Sequence, residues 1–290
     1  MQNNSLLSGL AVVGGCLGFG LRLWQWTASY NPDTQLFTHG HPSVFLLTIL
    51  MAALILVFLL ILRPTHGPGD PLSAFRCPST LYMTGMTASA LLFLGAGALG
   101  ILEGMGQLAL WRANPETNLL TYPIALLLCA LFSFAAGPAA LLVGKGAYRG
   151  SFDPVCSLLI VFPPLSALAW LFATHLAHGT DPVLMDYVFS LAAIAALLLS
   201  QYYTAAFFHD RPHPRAAAFW SLLGVALALI SFADGLSPFQ MALTAAFTLS
   251  SLSGVWALLR TLFGPPWPKR LLDERMPLGA QEQETTEQPE

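Results

Sequence analysis

Long blocks of apolar residues follow one another along the chain, and short polar stretches rich in proline and glycine separate them. About 20 helical residues cross the roughly 30 Å of bilayer hydrocarbon, and several blocks are that long without an Asp, Glu, Lys or Arg. Strand-like alternation is missing, which argues against an outer-membrane barrel. The pattern predicts an all-α integral membrane protein with about eight transmembrane helices. The predicted spans are Leu6–Ala28, Ser43–Leu62, Thr80–Trp111, Tyr122–Gly144, Pro154–His175, Pro182–Phe208, Ala216–Ala233 and Pro238–Phe263.

Composition agrees with this pattern. Of the 290 residues, 55% are hydrophobic and only 9% are charged, whereas soluble domains carry about 25% charged residues. No connection between spans is long enough to hold a soluble domain. Residues 264–290 open with three prolines, continue rich in Glu and Gln, and lack apolar periodicity. The sequence therefore predicts a transmembrane domain over residues 1–263 and a disordered cytoplasmic tail over residues 264–290.

The twelve Lys and Arg residues predict the orientation. Ten of them fall between spans two and three, four and five, or six and seven, or at and beyond the end of span eight. These are Arg63, Arg76, Lys145, Arg149, Arg211, Arg215, Arg260, Lys269, Arg270 and Arg275. Only Arg112 falls on the opposite face, and Arg22 lies inside span one. Because Lys and Arg accumulate on cytoplasmic loops, we expect both termini in the cytoplasm and the chain in the cell membrane, with the lipid bilayer as its surroundings.

Two connections on the opposite face share a sequence pattern. Residues 31–38 read Asn-Pro-Asp-Thr-Gln-Leu-Phe-Thr, and residues 114–121 read Asn-Pro-Glu-Thr-Asn-Leu-Leu-Thr. Both could be unrelated turn-rich loops, but matched residue types in matched places favour an internal repeat. We therefore expect four consecutive helical hairpins, over residues 6–62, 80–144, 154–208 and 216–263, repeated in parallel rather than inverted as in many secondary transporters.

Four ionisable residues lie within the spans: Arg22, Glu103, Asp186 and Asp234. Such residues are costly in lipid and indicate a functional site by default. Measured from the two repeated loops, the depths of Arg22 and Glu103 differ by two residues, about 3 Å along a helix, so these two side chains are predicted to pair. Together with Gln107, the four residues would line a polar ligand-binding vestibule on the outer face.

Structural interpretations stand beside this hypothesis. The Arg22–Glu103 pair could simply tie two hairpins together. Asp234 could extend into water from a helix end, and Asp186 could favour a helix N-terminus. The glycines at Gly14/Gly18 and Gly100/Gly104 have a spacing that permits close helix contact, and they are predicted to bring Arg22 and Glu103 together.

Four histidines on the same face suggest a metal site. His39 and His41 form H-x-H, and His175 and His178 form H-x-x-H. Asp33, Glu116 or Asp181 could complete a ligand set around one metal ion. Solvated loop histidines are the alternative interpretation, so no metal or other cofactor is predicted.

Proline interrupts two predicted helices, at Gly137-Pro138 in span four and at Phe162-Pro163-Pro164 in span five. Proline removes backbone donors and kinks or breaks a helix, and transport proteins use such breaks to expose backbone groups to a substrate. A packing kink is the alternative at both places.

No nucleotide-binding, metalloprotease or esterase motif occurs in the chain, so an enzyme is not expected. The favoured hypothesis is a small-solute carrier or solute-binding membrane protein with an outward-facing vestibule. The alternative is a non-catalytic anchor or assembly subunit, including a quinol-handling redox anchor, with an unidentified membrane or cytoplasmic protein partner. No nucleic-acid partner is expected.

Overall fold

The computed structural model describes residues 2–31, 34, 36–38, 40–63, 71–116, 119–179 and 187–264. Eight helical segments in this part of the chain are long and apolar enough to cross a membrane, which confirms the prediction of an all-α membrane protein. The helices are α1 (Gln2–Ser29), α2 (Pro42–Ile61), α3 (Thr80–Ala113), α4 (Thr121–Arg149), α5 (Pro154–Leu159), α6 (Phe162–His178), α7 (Val188–Phe207), α8 (Pro214–Ser231) and α9 (Pro238–Phe263). The predicted tail beyond Gly264 lies outside the described residues.

Proline marks where several helices begin. It is the first residue of α2, α5, α8 and α9, a position where its missing N–H has no intrahelical partner to lose. Helix α9 also has a capping box: the Ser237 Oγ accepts from the Gln240 backbone N–H at 3.3 Å, and the Gln240 Oε1 accepts from the Ser237 N–H at 3.0 Å. This reciprocal cap fixes the start of α9 next to the site described below.

The proline-rich segment of span five breaks the helix, as one of the two interpretations expected. Helix α5 ends at Leu159 and α6 begins at Phe162, so the span is two helices in series. Pro163 and Pro164 cannot donate to carbonyls in the preceding turn, which explains the interruption. By contrast, α4 runs continuously through Pro138, and the neighbouring Gly137 lies so close to α3 that an added Cβ would meet the Leu94 side chain at 2.9 Å. There the small residue serves helix packing.

Helices α8 and α9 lie at the centre of the bundle, and α2 lies at its edge. In the most apolar stretch of each helix, 67% of α8 and 61% of α9 is buried, compared with 22% of α2. Helix α3 packs against α4 and α9, α4 against α6, α7 against α8, and α1 against α8 and α2. At the core, Phe247 contacts Phe93 edge-on, with centroids 4.8 Å apart, and stacks parallel to Trp170 at 5.9 Å. These rings join α9, α3 and α6.

Serine hydroxyls link the central helices. The Ser200 Oγ lies 2.7 Å from the Ser221 Oγ and donates to the Ser251 Oγ at 3.0 Å, which joins α7, α8 and α9. The Ser133 and Ser166 hydroxyls lie 2.8 Å apart between α4 and α6. Because each hydroxyl finds its partner on a neighbouring helix, these contacts fix how the helices face each other.

The two loops of the predicted repeat differ in local structure. In the first, Tyr30–Asn31 pairs antiparallel with Leu36–Phe37 in a two-stranded sheet. In the second, Asn114 ends α3 in a turn and Thr121 already begins α4. Residues 32, 33, 35, 117 and 118 of the repeated segments lie outside the described residues.

Candidate functional site

A buried ion pair joins α1 to the turn between α8 and α9. The Arg22 Nε donates to the Asp234 Oδ1 at 2.6 Å, and the two side chains are 0% and 2% exposed. Arg22 lies seven residues before the end of α1, about 10 Å along the helix axis. Asp234 follows the last residues of α8, and Gly235 reverses the chain after it with a φ of 67°. A glycine takes this left-handed conformation without strain, so the turn holds the carboxylate over the helix ends.

Further hydrogen bonds complete the shell of the pair. The Arg22 Nη1 donates to the Gln25 Oε1 at 2.9 Å, one turn further along α1. The Asp234 Oδ1 also accepts from the Trp26 Nε1 at 3.3 Å, and its Oδ2 accepts from the Ser190 Oγ at 3.1 Å. Charge-assisted bonds of this kind offset part of the cost of taking two charges out of water. Donors on two helices, α1 and α7, therefore converge on one carboxylate in the turn between α8 and α9.

Aromatic rings surround the guanidinium. The Arg22 Cζ lies 5.0 to 5.4 Å from the ring centroids of Phe189, Trp26 and Phe37. Phe37 belongs to the short sheet, and Tyr30 and Trp26 pack against it at 5.4 and 5.0 Å. Aromatic faces attract a cation and exclude water, so these three rings shield the positive end of the pair.

A cavity of about 260 Å³ adjoins the negative end of the pair. At roughly 30 Å³ each, about nine water molecules would fill this volume. Helix α6 and helix α7 form two of its sides, and Trp26 and the turn after α8 form the others. The lining residues are Trp26, Trp170, Thr174, His178, Tyr187, Ser190, Ile194, Asp234, Gly235, Leu236 and Gln240.

One face of α6 lines this cavity. Trp170, Thr174 and His178 recur every four residues and so project from the same side of the helix. The Trp170 Nε1 and the Thr174 Oγ1 are buried and have no hydrogen-bond partner among the described residues. Trp170 is held in place by its stacking on Phe247, and the His178 ring stacks on Tyr187 with centroids 4.5 Å apart and planes 13° apart. Unmet buried donors are rare in proteins, and each costs about 1–3 kcal/mol.

The predicted pairing of Arg22 with Glu103 is wrong. Arg22 pairs with Asp234, and the Glu103 Oε2 instead accepts from the Ser237 Oγ at 2.9 Å. The reason is lateral packing: α1 packs on α8 and α2, whereas α3 packs on α4 and α9. The sequence spacing correctly placed Arg22 and Glu103 at a similar depth, since both contact residues just before α9. Depth along a helix does not determine which helix lies beside it.

The glycine faces are packing faces, as predicted, but they do not bring α1 and α3 together. Added Cβ atoms at Gly14 and Gly18 would meet Leu54 of α2 and Ile230 of α8 at 2.8 and 2.6 Å. On α3, Cβ atoms at Gly100 and Gly104 would meet Phe239 of α9 and Leu127 of α4, at 2.8 and 2.9 Å. Each helix therefore uses its glycines for other neighbours.

The structure brings together only part of the predicted vestibule. Arg22 and Asp234 meet, and the alternative of an Asp234 side chain extending into water is wrong, since this side chain is 2% exposed. Glu103 and Gln107 are half-buried on α3 and are not among the described residues that line the cavity. Glu103 is connected to it indirectly, through the cap formed by Ser237 and Gln240. Asp186 lies outside the described residues.

The histidines take different positions. His41 caps α2, where its Nδ1 accepts from the Ser43 N–H at 3.3 Å, and its ring lies edge-on to Trp24. His175 is exposed, and His178 lines the cavity. His39, Asp33 and Asp181 lie outside the described residues, which contain no group of three His, Cys, Asp or Glu able to hold a metal ion.

Sequence reasoning missed Trp26, Trp170, Thr174, Tyr187 and Ser190. A signal for part of this set was present, because Trp170, Thr174 and His178 stand four residues apart and predict one polar stripe on an otherwise apolar helix. The partners on α1 and α7 have no such signal, since only the fold places them beside α6.

Comparisons of the chain with protein-family models, with curated proteins and with solved structures found no match.

Proposed function

We propose that the chain is a solute-binding protein of the cell membrane, and that the cavity beside Asp234 is its binding site. The observation that carries the proposal is a cavity of about 260 Å³ whose wall combines the buried Asp234 carboxylate with aromatic rings. Protein interiors are normally packed without such voids. A pair of charges that only tied helices together would not need a cavity beside it.

The orientation we propose puts this cavity on the outer face. Ten of the twelve Lys and Arg residues fall on the opposite side of the predicted spans, which favours a cytoplasmic location for that side and for both termini. The helices then form four hairpins that enter from the cytoplasm. The vestibule opens outward, and the lipid bilayer surrounds the exposed apolar side chains.

We further propose that the protein is a carrier, which transports the solute that it binds. Transport requires the bound solute to reach the other side, and the broken span α5–α6 is the element that supplies a joint, since α6 carries Trp170 and Thr174. The interruption at Ile160–Val161 lets α6 tilt without bending a continuous helix. Binding without transport would leave this break as a packing feature.

Identification of what co-purifies with the protein tests the proposal. The chain is isolated in its native lipids, and both small molecules extracted by solvent and retained proteins are identified by mass spectrometry. We expect a small molecule in near-equal amount to the protein, lost in Thr174→Phe, which fills the cavity. Thr87→Phe is the matched control, because Thr87 lies in a separate lipid-facing groove between α3 and α4. A stoichiometric protein partner with no small molecule would favour the anchor hypothesis instead.

A further inference from the structure

A second cavity, also of about 260 Å³, lies at the other end of the bundle, where α4 ends and α5 begins. Its wall includes Lys145 and Arg149 of α4 and Asp153 of the following connection. We infer that this cavity holds the phosphate group of an anionic phospholipid from the surrounding bilayer. The inference concerns a different site from the cavity beside Asp234 and does not depend on the proposed function.

Two glycines shape this second cavity. Gly150 follows α4 in a left-handed conformation, with a φ of 77°, and ends the helix. Gly146 lets the Phe152 ring lie against α4, since an added Cβ there would meet the Phe152 Cδ1 at 2.7 Å. The Asp153 Oδ1 then caps α5 by accepting from the Val155 N–H at 2.9 Å. The connection is thereby held beside the last turns of α4, and the cavity lies between them.

Two cationic side chains line the cavity. Lys145 and Arg149 stand four residues apart on α4, so their Cβ atoms lie about 5–6 Å apart on one side of the helix. Both residues are exposed, and neither forms an ion pair or a hydrogen bond with another described residue. Asp153 is the one acidic residue among the described residues of the lining. These residues carry two positive charges and one negative charge, so a ligand with a single negative charge balances them.

A phosphate group matches the donors on this wall. The Arg149 guanidinium can donate to two phosphate oxygens at once, and the Lys145 ammonium adds a compact positive charge. Ser151 lines the same cavity and is exposed, and its hydroxyl is a further donor for an oxygen of the ligand. The wall therefore offers three kinds of donor to one anionic group.

The position of the cavity along the spans favours a lipid over a dissolved anion. Lys145 directly follows predicted span four, and Asp153 directly precedes predicted span five. Leu142 and Cys156, which lie within those two spans, line the cavity as well. The cavity therefore crosses the boundary between the hydrocarbon core and the polar headgroup region, which is the level of the lipid phosphates.

Exposed apolar side chains continue from the cavity into the bilayer. Helix α5 enters span five from this end and carries Val155, which is 49% exposed, and Leu158, which is 70% exposed. The acyl chains of a lipid held by its phosphate would lie against such side chains. In the orientation proposed above, this end faces the cytoplasmic leaflet, where anionic lipids are common and basic pockets between helices bind their headgroups.

Lipids that share their acyl chains and differ in charge test the inference on the purified full chain in detergent. Dioleoyl phosphatidylglycerol is anionic, and dioleoyl phosphatidylcholine has no net charge. The concentration of each lipid that gives half of the maximal rise in Tm measures its affinity. We expect wild type to prefer phosphatidylglycerol by about tenfold or more. Glycerol 3-phosphate, which has the phosphate but no acyl chains, should not raise Tm at the same concentrations.

Charge variants link this preference to the cavity. Lys145→Gln and Arg149→Gln each remove one positive charge, so we expect each to weaken the binding of phosphatidylglycerol by about fivefold. Lys145→Arg keeps the charge and should keep the preference. Arg63→Gln and Arg211→Gln are charge-matched controls, because both residues are exposed on the same predicted face and neither lines the cavity. In these two controls the preference should persist.

Three results would overturn the inference. A preference that is unchanged in Lys145→Gln and Arg149→Gln, or that falls equally in the two controls, would mean that this cavity does not hold the lipid. An equal rise in Tm from glycerol 3-phosphate would assign the cavity to a dissolved phosphate. The carboxylates of residues 265–290 lie outside the described residues, and if they filled the cavity, wild type would show no preference. Each result leaves the cavity beside Asp234 untouched, since Thr174→Phe tests that site separately.

Discussion

At the scale of single residues, burial determines how much Arg22 and Asp234 contribute to the stability of the fold. Both side chains are removed from water, so each depends on the other and on the rings and amide around them. Breaking such a pair leaves one charge uncompensated, whereas removing both charges avoids that cost. The contribution of the pair is therefore visible only when the two positions are changed together.

A double-mutant cycle measures this dependence. We expect Arg22→Leu and Asp234→Leu each to lower the free energy of unfolding by about 3–5 kcal/mol, and the double variant to lose less than the sum of the two single losses. The coupling free energy should be about 1–3 kcal/mol. Arg22→Leu with Glu103→Leu is the control cycle, and its coupling should be within about 0.5 kcal/mol of zero because Glu103 bonds to Ser237. Equal coupling in both cycles would contradict the observed pairing.

The thiol of Cys77 gives a second prediction at this scale. Cys77 lies before α3, its N–H donates to the Ala147 carbonyl at 2.9 Å, and burial raises the pKa of its thiol from 9.0 to about 11. At pH 8 the thiolate fraction then falls from about 10% to about 0.1%, and the thiolate is the reactive form. With Cys77 as the only cysteine, maleimide labelling at pH 8 should be at least about a hundredfold slower in the folded protein than after denaturation, because the buried side chain is also shielded from the reagent.

The raised pKa of Cys77 also makes the stability of the folded protein depend on pH. Because the folded thiol keeps its proton to higher pH than the unfolded thiol, the stability that Cys77 contributes is complete below pH 9 and is lost as pH rises from 9 to about 11. Cys77→Ala should therefore show a smaller loss of Tm over this pH range than wild type. An identical loss in both proteins would mean that the thiol titrates alike in the folded and unfolded states.

Sequence alone predicted part of the site at this scale. It singled out Arg22 and Asp234 because charges inside an apolar block need partners. It paired Arg22 with the wrong carboxylate because spacing along a helix measures depth, while the choice between Glu103 and Asp234 depends on which helix lies beside α1. That choice is made by packing contacts between residues more than 200 positions apart, and a single sequence does not reveal them.

At the scale of elements, small residues on α1 determine how closely it approaches α8. A Cβ at Gly15 would lie 2.8 Å from the Leu229 Cβ and 3.1 Å from the Ala226 carbonyl oxygen, and neither atom is the free end of a side chain. Gly20 lies on the same helix, and among the described residues no atom beyond its own stretch of helix lies within 4 Å of the corresponding position. The two glycines form a matched pair for testing the contact.

Alanine at these two positions should have opposite effects. We expect Gly15→Ala to lower the free energy of unfolding by about 1–3 kcal/mol, because the helices must separate to admit the methyl group. Gly20→Ala should be neutral or stabilising by up to about 1 kcal/mol, since alanine favours the helix. Unfolding in a graded denaturing detergent measures both, and equal effects would show that α1 does not pack on α8 through Gly15.

Helix features that depend on local sequence are predictable, whereas features that depend on packing against neighbouring helices are not. The sequence predicted the number of helices and their approximate bounds, because both depend on local composition. For the Pro163 segment it left a break and a packing kink as alternatives, and the structure has the break. Continuity of α4 through Pro138 and the packing partners of each glycine depend on neighbouring helices. The stripe of Trp170, Thr174 and His178 was visible in the sequence, but its significance depends on the cavity that α7 and the α8–α9 turn close against it.

At the scale of the whole molecule, orientation in the membrane is the prediction with the widest consequences. It rests on the unequal distribution of Lys and Arg and puts the Asp234 end outside. Single cysteines at Thr34 and Ser151, both exposed positions, test it with a membrane-impermeant reagent. We expect intact cells to label the cysteine at Thr34 and inverted vesicles to label the cysteine at Ser151. The reverse pattern would turn the cavity toward the cytoplasm.

The most direct test of the central claim is protection of a cysteine placed in the cavity wall. Leu236 is half-buried in the turn beside Asp234 and lines the cavity, so Leu236→Cys in a chain without other cysteines reports access to it. We predict that an impermeant thiol reagent modifies this cysteine in intact cells and that the low-molecular-weight fraction of the culture slows the reaction severalfold. The cysteine at Thr34 should react at the same rate with or without that fraction. A reaction at the Leu236 position that no small-molecule fraction slows would contradict a solute-binding cavity.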